Sequence, residues 1–366
     1  MTNMRKFLFV SFTSEQAYTG GIQCTNRNFQ TLVALFGADN VSKYIIMPYK
    51  NRKSIISILQ RIRDIFRGYM GGMRRTREKE ILQIIKEKQI TDLFIDSSLL
   101  GILALKVKRK IPNIRIYTFF HNYEYAFVRD SIVVNRSYSR LYWLILAYIN
   151  EKIACKYSDK IISLNNRDKE AINKMYKKLA DIQIPITLST SYTPTNKAKQ
   201  IVASGQKSAL FVGSYFFGNV QGIKWFCKNV LPLTNIHLTI VGSGMEKLKD
   251  EIEMNKQISI YNNVPDLTPY YENSDFVILP ILSGSGMKVK TAEALMYGKY
   301  IIGTTEALRG YEINEKIGII CDSIEEFCKA INSFENSYKF NIYSRNLFEQ
   351  KYSFENSLRL FEQVLE

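Results

Sequence analysis

Histidine is almost missing from these 366 residues, with only His121 and His237 present. The five cysteines, Cys24, Cys155, Cys227, Cys321 and Cys328, are odd in number and scattered. None has metal-ligand spacing, and with only two histidines a zinc site is not expected. Thiols placed this way read as reduced, which points to the cytosol. No Asp-x-Asp pair occurs anywhere. Long apolar runs are lacking too: Leu141 to Ile149 is too short to cross a bilayer. Phe7 to Phe12 is too short for a secretory core and runs straight into polar residues. There is no low-complexity tract to suggest disorder, and 46% of residues are apolar. A chain of this length exceeds one hydrophobic core, so two domains are expected.

What is present is positive charge, unevenly placed. Residues 1–200 hold 34 Lys and Arg against 15 Asp and Glu, a net +19, whereas residues 201–366 hold 16 against 19, a net −3. The excess gathers in Lys50, Arg52, Lys53, Arg61, Arg63, Arg67, Arg74, Arg75, Arg77 and Lys79, and again at Lys106, Lys108, Arg109 and Lys110. Ile55, Ile56, Ile58, Leu59, Ile62, Ile65 and Phe66 lie between the first set of charges. A basic helix interleaved with apolar residues suits an anionic membrane surface or a phosphate-rich polymer. The plain alternative is a solvated helix with an ordinary core face.

Along the chain, apolar strands alternate with helices. Strands are expected at Phe7–Phe12, Tyr44–Met47, Leu93–Ile95, Ile114–Phe120, Lys160–Leu164 and Ile182–Leu188, with helices at about Ile22–Phe36, Leu99–Lys108 and Ser137–Tyr157. The text then turns polar, and 191–206 reads as a linker. The alternation restarts with strands at Ala209–Val212, Ile236–Val241, Ile258–Tyr261, Phe276–Leu279, Tyr300–Ile302 and Gly318–Ile320. Runs apolar on both faces mean parallel sheets. The fold class is therefore α/β, with two doubly wound Rossmann-like domains facing a cleft. The boundaries are 1–190, the linker 191–206, 207–340, and C-terminal helices over 341–366 whose return to the first domain the pattern leaves open. Ligands of such sheets sit at the carboxyl ends of strands.

One segment, residues 283–304, carries most chemistry. The strand ending near Ile281 enters a turn holding Gly284 and Gly286, then a helix closed by Gly298. Val289, Ala292 and Met296 fall on its expected buried stripe, and Lys290 and Glu293 on another face. Glycine backbone, the positive end of a helix and two lysines, Lys288 and Lys290, make a site for a phosphate or diphosphate. An ordinary strand-to-helix turn with surface lysines is the alternative.

Taken in order, Leu210-Phe-Val-Gly-Ser214, Asn219-Val-Gln-Gly-Ile-Lys-Trp-Phe226, Ile240-Val-Gly-Ser-Gly244, Val264-Pro-Asp-Leu267, Ser274-Asp-Phe276, the 283–304 segment and Leu308-Arg-Gly310 resemble retaining nucleotide-sugar glycosyltransferases of family 4, which have the GT-B fold. In the first half, Gly20-Gly21, Phe119-Phe-His-Asn-Tyr-Glu124 and Ser158 to Asp168 are similar to the family's glycine-rich and histidine loops. The resemblance implies that Glu293 binds ribose hydroxyls and that Lys290, beside Lys288, neutralises the diphosphate. It implies that Val264, with Asp266, holds the nucleobase, that Gly284, Ser285 and Gly286 form the turn against the donor sugar, and that Met287 lies at the helix start facing the diphosphate. Gly213 and Ser214 belong to the donor side, Gly21 to the phosphate loop, and His121 faces the sugar. His121, Lys290 and Glu293 are thus the expected catalytic set. His121 could instead be a buried, hydrogen-bonded histidine, and Glu124 a brace for its loop. Gly242-Ser-Gly244 lacks dinucleotide or P-loop spacing and reads as a tight turn, and Trp225 and Phe226 read as core.

The implied reaction moves a sugar from a nucleoside-diphosphate sugar to a glycan or lipid-linked acceptor with retention, in surface-polysaccharide assembly of the bacterial type. It needs no metal or other cofactor, in keeping with the missing Asp-x-Asp. The implied partners are the nucleotide sugar, the acceptor and an anionic membrane surface met by the basic half, with no nucleic acid. The implied location is cytoplasmic, peripheral on the membrane's inner face. Two departures stand out. The family's first glutamate is replaced by Ser285, which opens the alternative of a non-catalytic glycan-binding or partner protein. The usual Gly-Arg with a following lysine is replaced by Gly213-Ser214 with Asn219, shifting phosphate charge onto Lys288 and Lys290. A basic nucleic-acid binder is a third alternative, but no recognition helix or aromatic groove accompanies the charge.

Overall fold

The computed structural model describes residues 5–12, 20–48, 55–134, 136, 138–189, 192–193, 206–254, 256–284, 286–335 and 340–366. Ser285 and most of the expected linker lie outside them. The chain divides into two compact units, Met1–Pro185 with Ser357–Glu366, and Ile186–Asn356.

The first unit holds six parallel strands: β1 (Phe7–Ser11), β2 (Val41–Ile45), β3 (Asp92–Ile95), β4 (Arg115–Phe120), β5 (Lys160–Ser163) and β6 (Ile182–Gln183). Their order is β2-β1-β3-β4-β5-β6. β1 and β3 are buried along their length, and apart from the terminal Ser11 and Asp92 their side chains are apolar on both faces, as a sheet covered by helices on both sides requires. Two strands depart from expectation. β2 begins at Val41, three residues before the expected Tyr44, because a tight turn over Ala38–Asn40 delivers the chain into register with Phe7. β6 stops at Gln183 rather than Leu188; Pro185 has no N–H with which to extend a ladder. The expected Ser137–Tyr157 helix begins at Leu141, and a separate helix, Glu124–Val134, precedes it. The chain's last residues return to this unit, where the Phe361 ring stacks on Phe94 of β3 with centroids 5.7 Å apart.

The second unit has six more parallel strands: β7 (Lys207–Val212), β8 (Ile236–Val241), β9 (Ile258–Tyr261), β10 (Phe276–Leu279), β11 (Tyr300–Gly303) and β12 (Gly318–Ile320). Their order is β12-β11-β10-β7-β8-β9. The order reverses between β7 and β10, as it does between β1 and β3 in the first unit. Such a reversal sends successive crossovers to opposite faces and opens a crevice at the carboxyl ends of the two strands. Phe276, Val277, Ile278 and Leu279 of β10 are all buried, each worth about 1.5–3 kcal/mol of transfer free energy. That core holds the reversal point rigid.

Candidate functional site

At the β7/β10 reversal the chain leaves β10 through Pro280 and Ile281 and enters the helix Val289–Met296. The helix Phe217–Asn229 after β7 packs against this exit. Gly222 permits the approach, since a Cβ there would lie 1.8 Å from the Pro280 carbonyl oxygen. The Val289–Met296 helix is buried more widely than the expected stripe. Thr291, Ala292, Ala294, Leu295 and Met296 are all enclosed, while Val289 is only half-buried. Thr291 satisfies its hydroxyl on the Ala307 carbonyl at 2.8 Å, which fixes the helix roll. Lys288 is the N-cap and supplies no side-chain acceptor. The first turn carries no acid. Its dipole end is therefore left positive.

Lys290 leaves the first turn towards the end of β7. Its ammonium donates to Asn219 Oδ1 and lies 5.0 Å over the Phe211 ring. Asn219 is itself aimed by its Nδ2, which donates to the Ser214 carbonyl at 2.8 Å. Gly213 makes the space, because a Cβ would approach Asn219 Nδ2 to 2.8 Å and Lys290 Nζ to 3.2 Å. Burial pushes the Lys290 ammonium down to about 7; Glu293 works against that shift and Lys288 with it. Lys288 is only 13% exposed and donates to Glu306 Oε1 at 2.7 Å and to the Gly286 carbonyl at 3.2 Å. Arg309 reaches the other oxygen of Glu306 at 2.7 Å. Glu293 is half-buried and near Tyr271 and Tyr297, stacked at 4.2 Å; burial first, and Glu293 next for Tyr271, raise those phenols.

The structure thus gathers Gly213, Ser214, Lys290 and Lys288 with Gly284, Gly286 and the buried Met287 on one strand-to-helix exit. Val264 and Asp266 lie on a separate loop after β9, where Asp266 accepts from the Thr268 N–H at 2.9 Å just before the following helix. Gly242 and Gly244 form a turn with positive φ, as the spacing predicts. Asn219 and Glu306, which position the two lysines, were not singled out as site residues. Asn219 was readable as a departure from a basic pattern; nothing local marks Glu306 as the partner of a lysine 18 residues earlier.

In the first unit His121 follows β4, and its Nε2 lies 3.0 Å from Asp96 Oδ2 and 3.1 Å from the Asp96 carbonyl. Asp96 follows β3 and is 3% exposed; its carboxylate also accepts from the Thr25 hydroxyl and from Asn28 Nδ2 at 2.6 Å. Burial would lower the His121 value, but the fields of Asp96 and Cys24 outweigh it and hold the imidazole well above its ordinary range. Burial raises the Cys24 thiol, while Arg27, whose Nη2 lies 3.3 Å from its sulfur, and His121 bring it below the usual value. His121 thus sits hydrogen-bonded at a strand end with its side chain 16% exposed. Gly21 lies in the first turn of the helix Gly20–Phe36, with open space where a Cβ would point. Glu124 opens its helix, and that helix's first N–H groups at 124 and 125 bond to buried Glu151 at 2.9 and 3.0 Å. Asp96 could have been found from its place one residue past an apolar strand. Among the described residues no cluster of three His, Cys, Asp or Glu could hold a metal.

Residues 206–336 match the family model described as Glycosyl transferases group 1. A curated relative, an uncharacterized 44.6 kDa protein in the cps region of Klebsiella pneumoniae, is 28% identical over 148 residues, 36% of this chain and 37% of its own length. The matched stretch therefore spans well under half of that relative. Among solved structures, the lipopolysaccharide outer core galactosyltransferase WaaB in its apo form superposes with a TM-score of 0.69 at 14% identity, covering 98% of this chain and 99% of its own. Anabaena HepE in complex with UDP-glucose gives 0.61 at 11% identity, covering 98% and 99%. At these identities the structures establish the fold, which is GT-B. The family match and that fold together support a glycosyltransferase.

Proposed function

We propose that the chain transfers a sugar from a nucleoside-diphosphate donor to a glycan or lipid-linked acceptor, with retention and without a metal, in the assembly of a surface polysaccharide. The observation that carries this reading is the second unit's strand-to-helix exit. There an uncapped helix N-terminus and half-buried Lys290 converge on Gly213 at the sheet's reversal point. An anion placed there meets backbone N–H groups, the positive helix end and the Lys290 ammonium. The relative's cps region and the WaaB likeness support polysaccharide as the product class, and the HepE complex supports a nucleotide sugar as donor.

In this mechanism negative charge grows on the departing diphosphate as the glycosidic bond breaks. Lys290 and the helix end stabilise it in place. Asn219 keeps the ammonium aimed, and Glu306 holds Lys288 over the Gly284–Gly286 turn. The acceptor hydroxyl attacks from the face the phosphate leaves, and the leaving phosphate oxygen takes its proton, so no protein nucleophile is required. Glu293 orients the nucleotide through its ribose hydroxyls. His121, its Nε2 held by Asp96, is assigned to the donor-sugar side. The Val264–Asp266 loop is assigned to the base. The basic first half faces an anionic membrane on its cytoplasmic side.

The test is a thermal-shift screen with UDP-, GDP- and dTDP-sugars. A ligand that binds only the folded chain stabilises it by about 2.7 kcal/mol at a hundred times its Kd. One donor class should raise Tm in a saturable way, and Lys290→Ala should remove the shift. No stabilisation by any donor at millimolar concentration would leave the non-catalytic reading, opened by Ser285, in its place.

A further inference from the structure

The helix Ile55–Phe66 is turned inside out. Ile55 is 75% exposed, Leu59 62% and Phe66 87%, with Ile58 and Ile62 also exposed, whereas Asp64 on the opposite side is 6% exposed. At 100° per residue these five apolar side chains share one face. A helix stabilised by the core would show the reverse. Arg63 and Arg67 flank the stripe on one side and Arg61 on the other. Asp64 is spent on the inner side, where it pairs with Arg67 at 3.7 Å and its carbonyl accepts from the Tyr69 N–H at 2.9 Å. A second outward apolar set, Tyr138, Leu141 and Ile145, lies beside Arg136 and Arg140.

A cavity of about 440 Å³ joins these two elements. Tyr69, Met70, Met73 and Leu146 are its buried walls, and Trp143 lines it in a half-exposed position. Arg61, Asp64 and Arg140 also border it. The walls are tied together, since Asn150 Nδ2 donates to the Gly68 carbonyl at 2.9 Å. The volume is that of a small-molecule site, and its lining is mostly hydrocarbon, aromatic ring and thioether.

We propose that this cavity takes one hydrocarbon chain of a phosphate-headed membrane lipid while the outward stripe of Ile55–Phe66 lies in the bilayer interface. Charge complementarity selects that occupant: the apolar face is bordered by arginines, and the cavity is mostly apolar with two arginines, Arg61 and Arg140, against one carboxylate, Asp64, in its lining. A polymer of phosphates would satisfy the arginines but leave five aliphatic and aromatic side chains in water. The proposal rests on the reading that the first unit faces a membrane, and it assigns that unit a lipid subsite.

The chain has two tryptophans, so Trp225→Phe leaves Trp143 as the sole indole reporter. Vesicles of phosphatidylcholine with 30% phosphatidylglycerol brominated along its chains should bind this variant and quench Trp143. Unbrominated vesicles of the same charge should bind without quenching. Monomeric decyl phosphate should quench or shift Trp143 with one-to-one saturation, and inorganic phosphate should not. Leu59→Ser with Ile62→Ser, both exposed, should weaken vesicle binding at least tenfold at unchanged Tm. Binding of heparin with no response to brominated lipid would overturn the proposal in favour of a polymer, as would vesicle binding in which bromine leaves Trp143 bright. Donor stabilisation by UDP-glucose in the same preparation reports the second unit separately, so loss of one reading is distinguishable from loss of the other.

Discussion

In the first unit His121, one strand out from the reversal point, is largely enclosed against a carboxylate, whereas in the second unit half-buried Lys290 donates its ammonium to a neutral amide. Lys290 opens the helix after β10 at the β7/β10 reversal, and His121, after β4, meets Asp96 at the end of β3, a strand of the β1/β3 reversal. Asp96 compensates the imidazolium and raises it, with Thr25 and Asn28 completing the carboxylate's hydrogen bonds. Asn219 compensates nothing; it only aims Lys290, whose charge is disfavoured by burial. The same topology thus yields one site whose charge is already answered from within and one whose charge an anion would answer. That difference supports the proposal of a diphosphate in the second unit, where Glu293 favours the Lys290 charge without outweighing its burial.

The largest effect that sharpens this contrast is on stability. Asp96→Asn removes the buried partner of His121 and should cost about 3–5 kcal/mol, read from urea unfolding near pH 6. The pH dependence follows from the direction of the shift. His121 is held above its unfolded value, so its contribution is complete below about pH 6.5 and is lost as pH rises through the folded value. The urea midpoint should therefore fall on the alkaline side, and that fall should vanish in His121→Asn. A fall of equal size in His121→Asn would assign it to other groups and break the contrast.

Next in size is turnover. Lys290→Ala should lower kcat by about a hundred- to a thousandfold, or ~2.7–4 kcal/mol, the loss expected for one charge-stabilising donor. Asn219→Ala leaves the ammonium in place but unaimed and should lose less, with partial recovery in Asn219→Gln. Product formation from UDP-glucose or the donor found by screening provides the measurement. Full activity in Lys290→Ala would remove the second unit's claim to the diphosphate.

Much of the architecture was legible because strands covered on both faces must be apolar throughout. Runs such as Phe276–Leu279 and Ile236–Val241 announce themselves without any alternation to decode. The misplacements came where a local constraint competed with hydropathy. Ile45–Met47 is apolar, yet the ladder starts at Val41 because the turn before it sets the register. The Ile55–Phe66 helix was legible as basic and amphipathic, but its orientation was not. A periodic apolar face says nothing of which side the rest of the chain will occupy, and among the described side chains of this helix the buried one is Asp64. At the candidate site, the glycine turn and the lysines followed from spacing along one segment. Their keepers did not, because Asn219 lies 71 residues before Lys290 and Asp96 lies 25 before His121. Such pairs become neighbours only through strand order.

The smallest effect is the most specific to the contrast. The Lys290 value of about 7 lies below the ordinary 10.5, so the folded chain carries fewer protons than the unfolded chain between those limits. Burial of Lys290 then costs stability below about pH 7, and the cost is relieved as pH rises towards 10.5. Donor binding runs the other way, because only the ammonium attracts the diphosphate. The diphosphate of UDP-glucose does not titrate in this range, so its affinity should fall by up to tenfold per pH unit above about 7, or ~1.4 kcal/mol per unit. Lys290→Arg keeps its charge at every pH in the range and should give a flat profile. Calorimetric titration of UDP-glucose between pH 6 and 9 distinguishes the cases. A flat profile in the unchanged chain would mean that Lys290 is as well answered as His121, and the two reversal points would then no longer differ in the way that assigns the donor to one of them.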